Sequence, residues 1–257
     1  MIKSSVFVIG IGEVGAAIAE IFSKNFRVFK KDINFDEIGG QTIDYLHICI
    51  PYNKKFVTTA VTQIKKNKPK LTVIHSTVAV GTTRKIFKKT NLPIVHSPVR
   101  GTHPNLEKDI KKFVKYAGPI NEKSAKLAED HLGEAGLKVE LMEKPEETEL
   151  GKLLDTTYYG WNILFTKLVG KLCENLNLDF DNVYTKFNKT YNEGYRKSKP
   201  EVLRPILKYI HSDDKQGGIG GHCVMENTKL LHEQYHLDFT KFLIEKNEKL
   251  KKTKKDE

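Results

Sequence analysis

Several short stretches of the chain carry groups able to do chemistry. Gly10-Ile11-Gly12-Glu13-Val14-Gly15 has the spacing of a dinucleotide fingerprint. In that pattern the first glycine makes a tight turn and the second lets backbone approach a pyrophosphate. The third lets helix and strand pack closely, and the helix N-terminus faces the phosphates. A strand-like run precedes it and a helix-like run follows. Asp32 stands at the end of the second strand, where a carboxylate accepts hydrogen bonds from a ribose 2′-hydroxyl. That favours NAD over NADP, although Lys30 and Lys31 leave room for a 2′-phosphate. The alternative is a glycine turn without a ligand.

Three further stretches belong with it. Ser76-Thr77-Val78-Ala79-Val80-Gly81-Thr82-Thr83 ends a strand and opens a helix, where ligand crevices of parallel sheets form; the plainer reading is a helix start with Thr82 as cap. Glu149 and Lys152, three residues apart, share a helix face. They are either a surface ion pair or, for Lys152, a cation at a domain cleft that polarises a substrate oxygen. In Gly217-Gly218-Ile219-Gly220-Gly221-His222-Cys223, four glycines give backbone that a ligand can approach closely. Cys223 then falls at a helix start, whose dipole favours thiolate and so a nucleophile; the alternative is an inert buried cysteine. His222 is only a sequence neighbour, so no Cys–His dyad is expected. His232-Glu233-Gln234-Tyr235-His236 matches the zinc-peptidase string H-E-x-x-H with both histidines on one helix face. It lacks a convincing third ligand, and no metal is expected.

The elements that must position these groups fall into two patterns. Val6–Ile9, Arg27–Lys30, Tyr45–Ile50, Leu71–Ser76, Pro93–Ser97, Lys112–Ala117 and Leu137–Leu141 read as strands. Ala16–Lys24, Lys54–Lys66, Thr82–Lys89 and Glu122–Glu134 read as helices between them. Such alternation predicts an α/β, Rossmann-type, doubly wound parallel sheet over residues 1–145. Beyond it, Leu150, Leu153, Leu154, Tyr158, Trp161, Leu164, Phe165, Leu168 and Leu172 recur at three- and four-residue steps. That period predicts one long central helix from about Glu146 to Asn175. Asp181–Gly194, Glu201–Ile210 and a helix from Cys223 complete an all-helical second domain over 146–240, followed by a solvated basic tail over 241–257. The apolar stripe exceeds what a small domain covers by itself, so a homodimer on this helix is expected.

Composition narrows the class. The 257 residues are 39 % hydrophobic and 29 % charged, so the chain is neither disordered nor fibrous. No apolar run has the ~18–20 residues of a membrane span, and the N-terminus reads as a strand rather than a signal peptide. Three cysteines, Cys49, Cys173 and Cys223, fit a reduced cytoplasmic setting better than a disulfide framework. The net charge of +11 attracts anions without selecting among them. Beside a nucleotide fingerprint, an anionic small molecule is the expected partner, rather than nucleic acid or a membrane.

Together these residues resemble the UDP-glucose/GDP-mannose dehydrogenase family from about Lys3 to Leu231. The likeness lies in the fingerprint, Ile48-Cys49-Ile50-Pro51, Ser76-Thr77-Val78 with Gly81-Thr82-Thr83, Glu149 with Lys152, and Gly220-Gly221-His222-Cys223. The resemblance implies oxidation of a nucleotide-sugar C6 alcohol to a carboxylate with two NAD. It implies that Cys223 captures the aldehyde, Lys152 stabilises the oxyanion, Thr77 lies near the cofactor, and the central helix forms a dimer core. Glu149, Lys152, Gly220 and Gly221 are the candidate substrate positions. Two residues depart from the family pattern: Thr156 stands where Asn follows the lysine, and Asn227 where a catalytic Asp follows the cysteine. The family also has a third, nucleotide-gripping domain, for which this length leaves no room, so a short form is expected. Asn227 cannot act as a base in hydrolysis. A two-electron enzyme like the beta-hydroxyacid dehydrogenases, whose substrate loop Ser97-Pro98-Val99-Arg100-Gly101 loosely resembles, is the runner-up. A non-catalytic NAD-binding protein is the third reading.

Overall fold

The computed structural model describes residues 4–102, 104–210, 217–221 and 223–253. Two compact units divide the chain, one ending at Lys152 and one beginning at Leu153. The division falls inside a continuous helix, a few residues beyond the boundary expected from the sequence pattern.

Unit 1 is an eight-stranded sheet in the order β3-β2-β1-β4-β5-β6-β7-β8. Its strands are β1 (Ser5–Ile9), β2 (Arg27–Asp32), β3 (Phe35–Asp36), β4 (Tyr45–Ile48), β5 (Leu71–Ile74), β6 (Ile94–His96), β7 (Lys115–Pro119) and β8 (Val139–Leu141). Pairing is parallel from β2 through β6, and antiparallel at β2–β3 and β6–β7. β5, Leu-Thr-Val-Ile, is wholly buried, as expected of a strand covered on both faces. α1 (Glu13–Ser23), α4 (Leu106–Lys112) and α5 (Glu122–Glu134) cover one face. α2 (Phe56–Asn67) and α3 (Thr82–Thr90) cover the other. α2 shows why such segments are helical: Phe56, Ala60 and Ile64, one turn apart, are its buried residues. α4 has only Leu106 and Ile110 as an apolar pair among charges, too weak a period to read. So the strand expected from Lys112 begins only at Lys115.

Unit 2 is helical. α6 (Pro145–Asn175) begins in unit 1 and carries into it. A π-helical turn at Asp181–Thr185 leads into α7 (Lys186–Tyr195). The helix expected over Glu201–Ile210 is reduced to one 3-10 turn, Pro200–Val202, because Pro205 lacks the amide donor a helix interior needs. α8 (Cys223–Tyr235) is followed by α9 (Asp238–Thr253). The basic stretch expected to be a frayed tail is therefore largely helix. Leu243 packs with Leu164, Ile219, Val224 and Met225 in the small core of this unit. Residues 254–257 lie outside the described residues. Gly160 makes the approach of α8 to α6 possible, since a Cβ there would lie 2.7 Å from Val224.

Candidate active site

The fingerprint folds as its spacing requires. Gly10 adopts φ +86°, and a Cβ on it would meet the Cys49 carbonyl at 2.9 Å. A Cβ on Gly15 would lie 1.7 Å from the Gly10 oxygen, so α1 can pack on β1 only with glycine there. A Cβ on Gly12 would meet nothing within 4 Å, which leaves open space beside the backbone. Gly12 caps α1 without a side-chain hydrogen bond, so the first amides of the helix face that space. This cradle fits the pyrophosphate of a dinucleotide.

Asp32 closes the far side of the turn. Its carboxylate accepts from Ile11 N at 2.5 Å and Ile33 N at 2.7 Å, and these backbone donors hold it below the usual carboxylate range. Lys31 does not stand ready for a 2′-phosphate, because its ammonium lies 2.5 Å from Asp36 on β3, a short strand the sequence pattern did not reveal.

The loop after β5 is held by buried side chains. Ser76 Oγ donates to Ile50 O at 2.7 Å, and His96 bridges Ser76 O and Thr148 Oγ1 at 3.1 and 2.8 Å. Thr77 is half-buried in this loop. Thr82 is not the cap: Gly81, at φ +88°, caps α3, and Thr82 Oγ1 turns back to Ala79 O. Glu149 also differs from expectation. It is fully buried and accepts from Gly81 N at 2.6 Å, Thr83 N at 2.8 Å and Thr83 Oγ1 at 2.7 Å. Burial pushes its carboxyl upward against the pull of those donors. So Glu149 is neither a surface ion-pair partner nor an open substrate ligand; it fixes the start of α3 to α6. Lys152, one turn further along α6, is half-buried.

In unit 2, Cys223 is exposed and is the first residue of α8. His222 lies outside the described residues. Gly220 is half-buried, and Gly221 is exposed at φ +76°. The glycine loop before Cys223 is gripped by residues that sequence reasoning passed over: Ile219 N donates to Asn247 Oδ1 at 2.6 Å, and Lys167 Nζ to Gly217 O at 3.1 Å. Asn247 sits in the stretch read as a tail, which is why it was missed. The two positions that depart from the family pattern meet: Asn227 Nδ2 donates to Thr156 Oγ1 at 3.1 Å. They form a neutral pair with no carboxylate.

All three cysteines are free thiols. The H-E-x-x-H rings lie side by side, centroids 5.6 Å apart, although His236 stands just past the end of α8 at φ +51°; His232 Nδ1 bonds Thr240 Oγ1 at 2.9 Å. Among the described residues, no group of three His, Cys, Asp or Glu is placed to hold a metal. No described helix is long and apolar enough to cross a membrane.

No protein-family model matches the chain. It is 24 % identical over 284 residues to UDP-N-acetyl-D-mannosamine dehydrogenase of Methanocaldococcus jannaschii, covering 95 % of this chain and 62 % of that protein. The protein of the same name from Methanococcus maripaludis is 26 % identical over 157 residues, covering 60 % of this chain and 33 % of that one. The chain thus spans less than two thirds of the length of these relatives. Among solved structures, UDP-D-ManNAc dehydrogenase of Pyrococcus horikoshii superposes with a TM-score of 0.77 at 19 % identity, over 96 % of this chain and 68 % of that one. The 3-hydroxyisobutyrate dehydrogenase of Mycobacterium tuberculosis superposes with a TM-score of 0.71 at 13 % identity, over 95 % of this chain and 91 % of that one.

Proposed function

We propose that this chain belongs with the nucleotide-sugar dehydrogenases and is an NAD-dependent oxidoreductase acting on a CH–OH group of an anionic sugar such as a nucleotide sugar. The observation that carries the reading is the open cradle at Gly10, Gly12 and Gly15 with Asp32 at its rim. Bound there, NAD would supply the hydride acceptor that oxidation of the substrate carbon needs. Gly12 and the first amides of α1 would hold its pyrophosphate and Asp32 its ribose hydroxyls, with Thr77 as a further contact from the loop after β5.

The remaining roles follow from the residues. Loss of hydride and a hydroxyl proton turns the alcohol into an aldehyde, and Lys152 stabilises the oxygen's developing charge. Cys223 thiolate adds to the aldehyde carbon, giving a thiohemiacetal. Removal of a second hydride and the thiohemiacetal's hydroxyl proton, with a second equivalent of the cofactor as acceptor, would leave a thioester on Cys223 that water cleaves to carboxylate and free thiol. Asn227, bound to Thr156, offers no base for that last step, so hydrolysis is slow and acyl-enzyme accumulates. The exposed apolar residues of α6 support a homodimer built on that helix.

The test is NAD reduction and intact-protein mass spectrometry on a panel of nucleotide sugars and hydroxy acids. Cys223→Ser should abolish acid formation, Lys152→Ala should slow both oxidations, and Asn227→Asp should speed turnover of the adduct. The neutral Asn227–Thr156 pair also favours a second reading, a two-electron oxidation that ends at the carbonyl. Full activity of Cys223→Ser with no adduct would select it.

A further inference from the structure

Unit 1 buries a row of basic groups that the proposed chemistry does not use. His47 lies in β4, His75 follows β5, His131 lies in α5 and Lys115 opens β7; each is 3 % exposed or less. Their nitrogens meet end to end. Lys115 Nζ is 3.3 Å from His75 Nδ1, His75 Nε2 is 2.9 Å from His47 Nδ1, and His47 Nε2 is 2.7 Å from His131 Nε2. Lys115 Nζ also donates to the carbonyls of Ser97 at 2.6 Å and Pro98 at 2.8 Å. At the other end His131 Nδ1 is buried with no hydrogen-bond partner. The Tyr45 ring stacks on it, centroids 3.6 Å apart.

A neutral imidazole donates through one nitrogen and accepts through the other. Fixing one ring of this row therefore fixes all three, which leaves two settings. In the first, Lys115 is neutral. His75 Nδ1–H then points to Ser97 O, 3.0 Å away, and to the amine lone pair. His47 Nδ1–H donates to His75, His131 Nε2–H donates to His47, and His131 Nδ1 is bare. In the second, Lys115 is an ammonium whose three protons meet three acceptors, Ser97 O, Pro98 O and His75 Nδ1, and the bond from His75 Nδ1 to Ser97 O is given up in exchange. Every ring is then reversed, and His131 Nδ1 carries a proton.

We propose that His131, His47, His75 and Lys115 form a proton relay that passes one proton between His131 Nδ1 and Lys115 Nζ by reversing the three rings together. A proton arriving at His131 Nδ1 releases the Nε2 proton to His47 Nε2. His47 releases its Nδ1 proton to His75 Nε2, and His75 releases its own to the amine. Each ring gains one proton and loses one, so none is charged at rest, and the charge ends on Lys115. The surroundings suit this. Burial holds His47 and His75 well below the usual histidine range and His131 at about 3. Burial also draws Lys115 down to about 7; the neighbouring charges that act on it are Lys152 of α6 and Arg100 after β6, with the Cys49 thiol opposing them. His96 of β6 faces the row at His75 and is itself held neutral, at about 3. Lys115 and the Cys49 thiol act on each other electrostatically. The relay does not depend on the dehydrogenase reading.

Nitrogen-15 NMR of the full chain with labelled histidine rings, titrated from about pH 5.5 to 8.5, tests the proposal without cofactor or substrate. The expected result is that His47, His75 and His131 stay neutral throughout and exchange their protonated and bare nitrogens at one shared midpoint. Lys115→Met should freeze all three in the first setting at every pH. Rings that keep one tautomer across the titration, switch at separate midpoints, or become imidazolium would overturn it. If Lys115→Met fails to fold, the titration of the unaltered protein decides alone.

Discussion

The two units treat apolar and polar side chains in opposite ways. Unit 1 exposes few large apolar residues, chiefly Ile33, Phe35 and Phe113, and buries His47, His75, His96, Lys115, His131 and Glu149. Unit 2 exposes Leu154, Tyr158, Tyr159, Phe165, Leu168, Leu172 and Leu176 along and just beyond one helix, and has no buried histidine among its described residues. A sheet covered on both faces hides its apolar surface within the chain and has polar networks left to organise. A helix with apolar residues around much of its girth leaves surface that a second molecule must cover. Unit 1 should therefore be sensitive to protons, and unit 2 to concentration.

Acid gives the sharpest contrast. The four buried histidines have folded pKa values below the unfolded value near 6.5, so the unfolded chain binds more protons as pH falls through 6.5. Stability from these groups is complete above that range and is lost below it. Each costs on the order of 1 kcal/mol between about pH 7.5 and 5.5, and the four together several kcal/mol. Thermal melts followed by circular dichroism should show a transition that drops steeply over this window. A flat profile would mean the histidines are not buried neutral. Next in size, Glu149→Ala leaves three donors at Gly81 and Thr83 unmatched and should cost ~3 kcal/mol by urea unfolding, with Glu149→Gln milder.

On the other side of the comparison, Leu172→Asp places a charge in the exposed row of α6. It should weaken self-association at least about tenfold, roughly 1.4 kcal/mol, in light scattering across concentration, while leaving the acid profile unchanged. A monomeric unaltered protein at micromolar concentration would remove the dimer. The smallest effects serve as tags. Gly133 in α5 and Gly194 in α7 have open space where a Cβ would go. Each Gly→Ala should add ~0.5–1 kcal/mol to its own unit. If Gly133→Ala raises only the acid-sensitive transition and Gly194→Ala only the other, the units melt separately.

Much of unit 1 was legible because strand and helix periods alternate cleanly there, and α5 falls over Glu122–Glu134 as expected, with Asn121 capping it in the structure. The fingerprint was legible because glycine is there for steric reasons that act locally. The buried network was not, since hydrogen bonds between β4, the end of β5 and α5 join residues far apart in sequence. A trace of it existed: His47 and His75 interrupt otherwise apolar strand runs, where a polar residue must be satisfied from another element. In unit 2 the period of α6 gave its length but not its faces, so Leu153 and Leu164 are buried while Leu154 and Phe165 are exposed. Lysines masked the helix at the C-terminal end, because charge alone argued for solvent there and said nothing of Leu243 and Asn247.

The free thiols of this protein are unequal. Cys173 is buried, and burial pushes the Cys49 thiol up to about 12, while Cys223 is exposed. A maleimide dye added at neutral pH should therefore attach at one position without any engineering. The same atom that would hold substrate is thus a ready handle for a fluorophore or spin label.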